Sequence, residues 1–330
     1  MRAARLHAYG PPEAFRIEDV EPGPLRPNDV RVRVVAASIN PVDAKIRAGS
    51  QRGAIRLHLP VTLGLDVSGE VIEVGPKVSD FAVGDLVMGC PDHRRDGSYA
   101  EQVVVDAASL AKAPTSIPLE HAAALPLAGQ TAWQCLVPRL SQRPGQRVLI
   151  QAGSGGVGHL AIPIAKAHGA WVATTCSEKN HAFVEALGAD AAIDYRTHQW
   201  WEELSDLDVV LDALGYEERD RALAAVARGG QVASIVTGLP VATERWGPNL
   251  GVVAVALGIL GFTLRGWLQG KSARTVVKRN QRADLDALAR MVDDGTLRPH
   301  IHASFPLDGI GEAHTLLESH RVVGKVLVVP

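Results

Sequence analysis

The chain has 330 residues, of which 46% are hydrophobic and 21% charged, with 34 Lys and Arg against 36 Asp and Glu. At ~100 to 200 residues per domain, that length suits two domains with real cores, and the balance excludes wholesale disorder and a collagen-like fibre. A net charge of −2 supplies no global field to attract nucleic acid or anionic lipid, so neither a nucleic-acid nor a membrane partner is expected.

Three cysteines, Cys90, Cys135 and Cys176, lie far apart without a CxxC pair. That spacing argues against a disulfide framework or a cysteine zinc cage, and for a reducing compartment. MRAARLHAYGPP has a basic start but no apolar stretch behind it, so no secretory signal is read and the expected location is cytoplasmic.

Residues 1 to about 123 read as β-rich. Val30, Val32 and Val34 alternate with Arg31 and Arg33, the period of a half-buried strand, and glycine and proline turns punctuate the rest. From about 124 to 264 the rhythm becomes strand, glycine turn, helix, strand. RVLIQA leads into an apolar helix stopped by Gly169; WVATT leads into a helix from Lys179 to Leu187 stopped by Gly188. AAIDY, LDVVLDAL and QVASIV follow as further short apolar strands. Such alternation predicts βαβ units and a parallel sheet buried on both faces. Residues 265–330 carry helical patterns over Ala283 to Asp294 and Ile310 to Glu318 and a final strand, KVLVVP. That segment is short for a domain and is assigned back to the first one, leaving 124–264 as a central insert in 1–123 and 265–330.

The longest uncharged run, Trp246 to Leu264, is long enough to cross a bilayer but contains Pro248, Asn249 and four glycines. It is read as buried strand and subunit interface.

Residues 153 to 158 read Gly-Ser-Gly-Gly-Val-Gly, a GxGxxG placed after one strand and opening a helix. In that context Gly153 permits a tight turn, Gly155 a close approach to a pyrophosphate and Gly158 close helix packing. Ser154, Gly156 and Val157 supply the intervening backbone, and the helix N-terminus favours the phosphates. The cofactor expected is NADPH. At the tip of the next strand Ser177 is small and uncharged and Lys179 cationic, suiting a 2′-phosphate, whereas Glu178 competes as a ribose acceptor that would favour NADH. Tyr195 ends the third strand and offers a hydroxyl.

Several separated motifs then converge: ASINPVDAKIRAG (37–49), LGLDVSGEVIEVGPKV (63–78), FAVGDLVMG (81–89), GSYAE (97–101), LAGQTAW (127–133), AGSGGVG (152–158) and the closing GKVLVV. Together they resemble the medium-chain dehydrogenase/reductase superfamily, in its zinc-independent quinone oxidoreductase branch, similar to zeta-crystallin. The resemblance implies an α/β fold in which a Rossmann-type doubly wound parallel sheet is inserted in a β-rich, GroES-like catalytic domain, and a homodimer formed by pairing sheet edges near residues 239–270. It puts Asn40, as a catalytic residue, and Thr131 near the nicotinamide, and lets Lys325 approach the cofactor. Asp43 is read as fixing its own loop and Lys45 as a surface residue.

Where zinc alcohol dehydrogenases of the superfamily carry Cys and Gly-His-Glu, this chain has Asn40 and Gly64-Leu65-Asp66, and the structural zinc lobe is reduced to Cys90. No metal is expected, with His93, His300 and His302 as the remaining candidate ligands. The expected function is NADPH-dependent, zinc-independent hydride transfer to a quinone or an enone C=C. The alternatives are a narrow enoyl reductase, an alcohol dehydrogenase, or a non-enzymatic NADPH-binding sensor.

Overall fold

The computed structural model describes residues 1–92, 94–140 and 143–330; His93, one of the candidate ligands, lies outside the described residues. The chain divides into two compact units, Met1–Gln130 with Arg279–Pro330, and Thr131–Lys278.

In the first unit the alternating valines do form a strand, Asp29–Ile39, with Val30 and Val32 fully buried. It is the hub of a seven-stranded sheet that also contains Val67–Val74, Leu86–Gly89, Gln102–Asp106 and Leu110–Lys112. The C-terminal strand Lys325–Val329 pairs antiparallel with Asp29–Ile39 and parallel with Ile301–Pro306, which returns the end of the chain to its beginning. A three-stranded sheet of Arg2–Leu6, Phe15–Asp19 and Val61–Thr62 completes the unit.

The second unit holds a six-stranded parallel sheet. Its strands are Arg147–Ile150, Trp171–Cys176, Ala191–Asp194, Leu207–Asp212, Val226–Ser234 and Ser272–Thr275. Numbered within this unit, they lie in the order 3-2-1-4-5-6, the doubly wound dinucleotide-binding arrangement, whose crevice opens where the order reverses between the first and fourth strands. Apolar runs such as Val148, Leu149 and Ile150 are fully buried, as a sheet covered on both faces requires.

The sheet moves one sequence-drawn border. Ser272–Thr275 carries no strong strand signal, yet it pairs in parallel with Val226–Ser234, so the second unit ends at Lys278 rather than near 264. At the other border the chain passes from one unit to the next within the helix Pro126–Leu140.

Trp246 to Leu264 is not a strand. It belongs to a helical stretch, Leu239–Leu268, interrupted at Gly247 (φ 76°, ψ 169°). Pro248 suits the first turn of the resumed helix, where its missing N–H has no acceptor to lose. A run of nineteen uncharged residues is too long for a strand and satisfies its backbone as a helix. Nor is it a core segment: the stretch is long and apolar enough to cross a membrane, and 11% of its most apolar window is buried.

Candidate functional site

In the second unit the glycine turn follows the first strand and opens the helix Gly158–Ala167. Its one left-handed residue is Ala152 (φ 54°), not a glycine. Gly153 is needed for a different reason than turning: a Cβ there would stand 2.0 Å from Thr174 Oγ1, whose hydroxyl donates to the Ile150 carbonyl. At Gly158 a Cβ would meet the Ala152 carbonyl oxygen at 2.3 Å and Gly153 Cα at 2.7 Å, so this glycine lets the helix close onto the turn. At Gly155 the added carbon meets only the Ala152 carbonyl oxygen, at 3.2 Å. The protein leaves that side open, as a backbone approached by a pyrophosphate must. His159 and Leu160 N–H groups already find acceptors at Gly155 and Val157; the preceding amides, through Gly156, Val157 and Gly158, form the helix terminus that favours anions.

The neighbouring strand ends assemble around this turn. Cys176 pairs in register with Asp194, which sets Ser177 and Tyr195 at adjacent strand tips. Ser177 is buried and its carbonyl accepts the Asn180 N–H at 2.8 Å, while Asn180 Nδ2 donates to Ser154 Oγ at 3.0 Å. The 177–180 turn is thereby tied to the glycine turn. Glu178 and Lys179 are exposed at its apex. Tyr195 is 58% exposed, with the Arg196 guanidinium 5.7 Å from its ring centre. Asn180 and Arg196 were missed from the sequence, although each immediately follows a residue singled out there.

A second omission sits at the strand-order reversal. Asp212 ends the fourth strand fully buried; its Oδ1 accepts from Leu214 and Gly215 N–H, and its Oδ2 has no partner among the described residues. Unsatisfied buried acceptors are rare and call for an explanation. Thr131, the first residue of this unit, is buried in its helix.

In the first unit three strand ends converge by register. Val326 pairs with Ile39, which sets Lys325 opposite Asn40; Ala37 pairs with Val67, which sets Asp66 opposite Ser38. Asn40, Asp43, Asp66 and Lys325 are all buried, none more than 3% exposed. Asn40 Oδ1 accepts from Lys325 Nζ at 2.5 Å, and its Nδ2 donates to Asp66 Oδ2 at 2.8 Å and Asp43 Oδ2 at 3.2 Å. Lys325 also pairs with Asp66 at 3.2 Å.

Asp43 accepts the Asn40 backbone N–H at 2.8 Å, fixing the start of the helix Pro41–Arg47 as its sequence position suggested. Burial, reinforced by the nearby Asp66 charge, pushes the Asp43 carboxyl up to about 7. Asn40 is the bridge of a buried polar cluster, and Lys325 is buried within it and paired with Asn40 and Asp66. Lys45 is exposed, as expected.

This cluster occupies the positions that would ligate zinc, and its donors do not fit the ion. Asp66 Oδ2 already accepts from Ser38, Asn40 and Lys325, its Oδ1 from Leu127 N–H and the Cys90 thiol, and an ammonium fills the cationic role. His300 and His302 are exposed, and among the described residues no group of three or more metal-ligating side chains occurs.

Comparison with known proteins agrees with this architecture. Residues 26–115 match the alcohol dehydrogenase GroES-like domain and residues 187–328 the family described as zinc-binding dehydrogenase. The chain is 33% identical to the mouse mitochondrial NAD(P)H oxidoreductase RTN4IP1, over 99% of this chain and 89% of that protein. It is 33% identical to the chloroplastic NADPH-dependent alkenal/one oxidoreductase of Arabidopsis thaliana, over 100% and 80%. Among solved structures it resembles a quinone oxidoreductase from Coxiella burnetii, with a TM-score of 0.86, 33% identity, and coverage of 100% and 99%.

Proposed function

We propose a specific reaction from a general premise: this chain belongs to the medium-chain dehydrogenase/reductase superfamily, in its quinone oxidoreductase-like branch, and is an oxidoreductase. The reaction is the NADPH-dependent reduction of a quinone or of the C=C bond of an enone, without zinc. The observation that carries it is the polar centre of the first unit, built around the Lys325 ammonium and a fully bonded Asp66 where a metal-dependent alcohol dehydrogenase needs open ligands. An alcohol gives up hydride readily only when a Lewis acid lowers its pKa; an electron-poor quinone or enone accepts hydride without one.

The residues of the second unit fit a nicotinamide dinucleotide, because the Gly155 side of the turn is open and the helix terminus faces it. The reduced nicotinamide, when bound, supplies the hydride. In this reading the backbone from Gly153 to Gly158 holds the pyrophosphate. Lys179 and Arg196, with the Ser177 and Tyr195 hydroxyls, take the 2′-phosphate, and Asp212 Oδ2 accepts from a ligand hydroxyl. Two cations against the single Glu178 carboxylate favour NADPH over NADH. In the first unit Asn40 orients a polar group of the acceptor. Asp43, its carboxyl pushed up to about 7 by burial, can hold a proton behind it; the product enolate or hydroquinone can also be protonated from solvent.

The test is consumption of NADPH and NADH by chelator-treated protein with a benzoquinone, a naphthoquinone and a linear enone, set beside a primary alcohol with NADP⁺. Quinone or enone turnover with NADPH preferred is the expected result. Alcohol turnover that needs added zinc, with silence on the other three, would overturn the reading.

A further inference from the structure

Asp43 is also one end of a second set of buried polar side chains, none of which the reaction above uses apart from Asp43 itself. Asp43 and Arg47 stand four residues apart on the helix Pro41–Arg47, and His314 and Glu318 four apart on the helix Ile310–Glu318, so each pair shares one helix face. The Arg47 guanidinium links the two faces: its Nη2 donates to Glu318 Oε1 at 2.7 Å, reaching from a side chain 2% exposed to one 40% exposed. Tyr99, from the GSYAE motif, stands edge-on to His314, with ring centres 5.7 Å apart and planes at 90°. Phe15 closes over both, its ring centre 6.1 Å from that of Tyr99 and 5.0 Å from that of His314.

Tyr99 and His314 have no exposed surface, and Asp43 and Arg47 almost none. Asp43 Oδ1, the Tyr99 hydroxyl, both His314 ring nitrogens, and Arg47 Nε and Nη1 have no partner in hydrogen-bond geometry among the described residues. A buried polar atom left alone is rare, and several in one place call for a shared explanation. The core around them, with Ile46, Leu63, Leu307 and Ile310, is apolar. Burial first, then the Asp43 and Asp66 charges and hydrogen bonding toward Asp43, push the Tyr99 hydroxyl well above its ordinary range, with Arg47 opposing. Burial and the Arg47 charge push His314 down to about 3, so its ring is neutral and keeps one bare nitrogen as an acceptor.

We propose that Tyr99 and His314 are positioning residues for Asp43: a proton on this carboxyl lies on Oδ1 and is donated to the Tyr99 oxygen, while the Tyr99 hydroxyl is donated to the bare nitrogen of His314. The inference rests on the reading of Asp43 as the proton store of the reduction. Its direction follows from what is already occupied. Asp43 Oδ2 accepts the Asn40 backbone and side-chain N–H groups at 2.8 and 3.2 Å, which leaves Oδ1 for the proton. A hydroxyl donates one hydrogen while accepting another, and a neutral imidazole supplies the acceptor that ends the line. The charges that bear on the line are committed elsewhere, Asp66 and Lys325 to each other and to Asn40, and Arg47 to Glu318. Held in this way, the carboxyl presents Oδ2 to Asn40 purely as an acceptor. That keeps the Asn40 amide turned with Nδ2 toward Asp43 and Asp66 and Oδ1 toward Lys325.

The experiment is an infrared pH titration of the full chain that follows the C=O stretch of protonated Asp43, identified by its loss in Asp43→Asn. Tyr99→Phe keeps the ring and removes only the hydroxyl, and thermal unfolding verifies that the fold holds. The expected result in Tyr99→Phe is a C=O band at higher frequency, the sign of a lost donated hydrogen bond, and a titration midpoint about one pH unit lower, because the neutral acid loses its acceptor. His314→Leu should move both in the same direction by less, and His314→Gln, whose amide oxygen still accepts, should restore them. With an acceptor that is turned over, the limb of the kcat profile set by Asp43 follows the same midpoint while KM and NADPH affinity hold. Absence of an Asp43 band in the parent chain, an unchanged band and midpoint in Tyr99→Phe, or a midpoint that rises there would each overturn the proposal, the last by showing that Tyr99 donates to the carboxylate. The titration needs no acceptor, so a failure of quinone and enone turnover counts against the reaction and not against the line.

Discussion

Gly155 and Gly158 lie three residues apart in one turn, and the structure assigns them opposite sensitivities. A methyl added at Gly155 meets one protein atom, the Ala152 carbonyl oxygen, at 3.2 Å. The turn can yield the few tenths of an ångström this requires, so Gly155→Ala should unfold within about 2 °C of the parent, a shift worth less than ~1 kcal/mol. If a pyrophosphate packs against that backbone, the same methyl overpacks the complex by ~1–3 kcal/mol, weakening NADPH and NADH alike by about 5- to 150-fold. At Gly158 the methyl meets backbone at 2.3 and 2.7 Å, and backbone cannot swing aside. Gly158→Ala should therefore lower the unfolding temperature in the absence of nucleotide, by roughly 3–10 °C for ~1–3 kcal/mol in a chain of this size. Thermal unfolding without nucleotide and fluorescence titration with both cofactors read the two effects separately. Unchanged affinity in Gly155→Ala would refute the pyrophosphate assignment, and a loss confined to one cofactor would move the contact to the 2′ position.

Three further outcomes follow from the two sites. Lys179→Ala removes an exposed cation and should weaken NADPH by about tenfold, the value of one charge-assisted contact at ~1.4 kcal/mol, and NADH by less than twofold in the same titration. Asp43 stands at about 7 against an ordinary 3.8, so the folded chain keeps a proton that the unfolded chain releases. Its contribution to stability therefore falls as pH rises from about 4 to about 7 and is level above, and unfolding free energies of Asp43→Asn should lack that one-proton slope. Lys325→Met strands the buried Asp66 charge and should cost ~3–5 kcal/mol in denaturant unfolding; adding Asp66→Asn should recover part of the loss, and a purely additive double variant would show that the pair is not coupled.

The candidate site was legible in the sequence to the extent that its chemistry is local. GxGxxG, Ser177, Lys179 and Tyr195 all follow parallel strands, and a strand's end can be read from its apolar run. Asp43 was rightly placed as a loop-fixing residue, because its acceptor role lies three residues from its donor. The cluster around it was not legible: Lys325 is 285 residues from Asn40, and only strand register brings them together. Asp212 escaped notice because a carboxylate closing an apolar strand looks like any turn former until its unpartnered oxygen is seen at the strand-order reversal.

By itself, then, the sequence determined the kind of fold, the position of the dinucleotide turn and the loss of the zinc ligands, because period, glycine spacing and residue identity act over a few neighbours. Tertiary structure decided what depends on distant partners. It made Ser272–Thr275 a strand by supplying a neighbour for it to pair with. It joined Asn40 and Lys325, far apart in the chain, in one buried network. It also turned the apolar run after Gly247 outward as an unpaired helical seam, since hydrophobicity fixes that a surface is to be covered but only packing shows how much of it the chain's own core has covered.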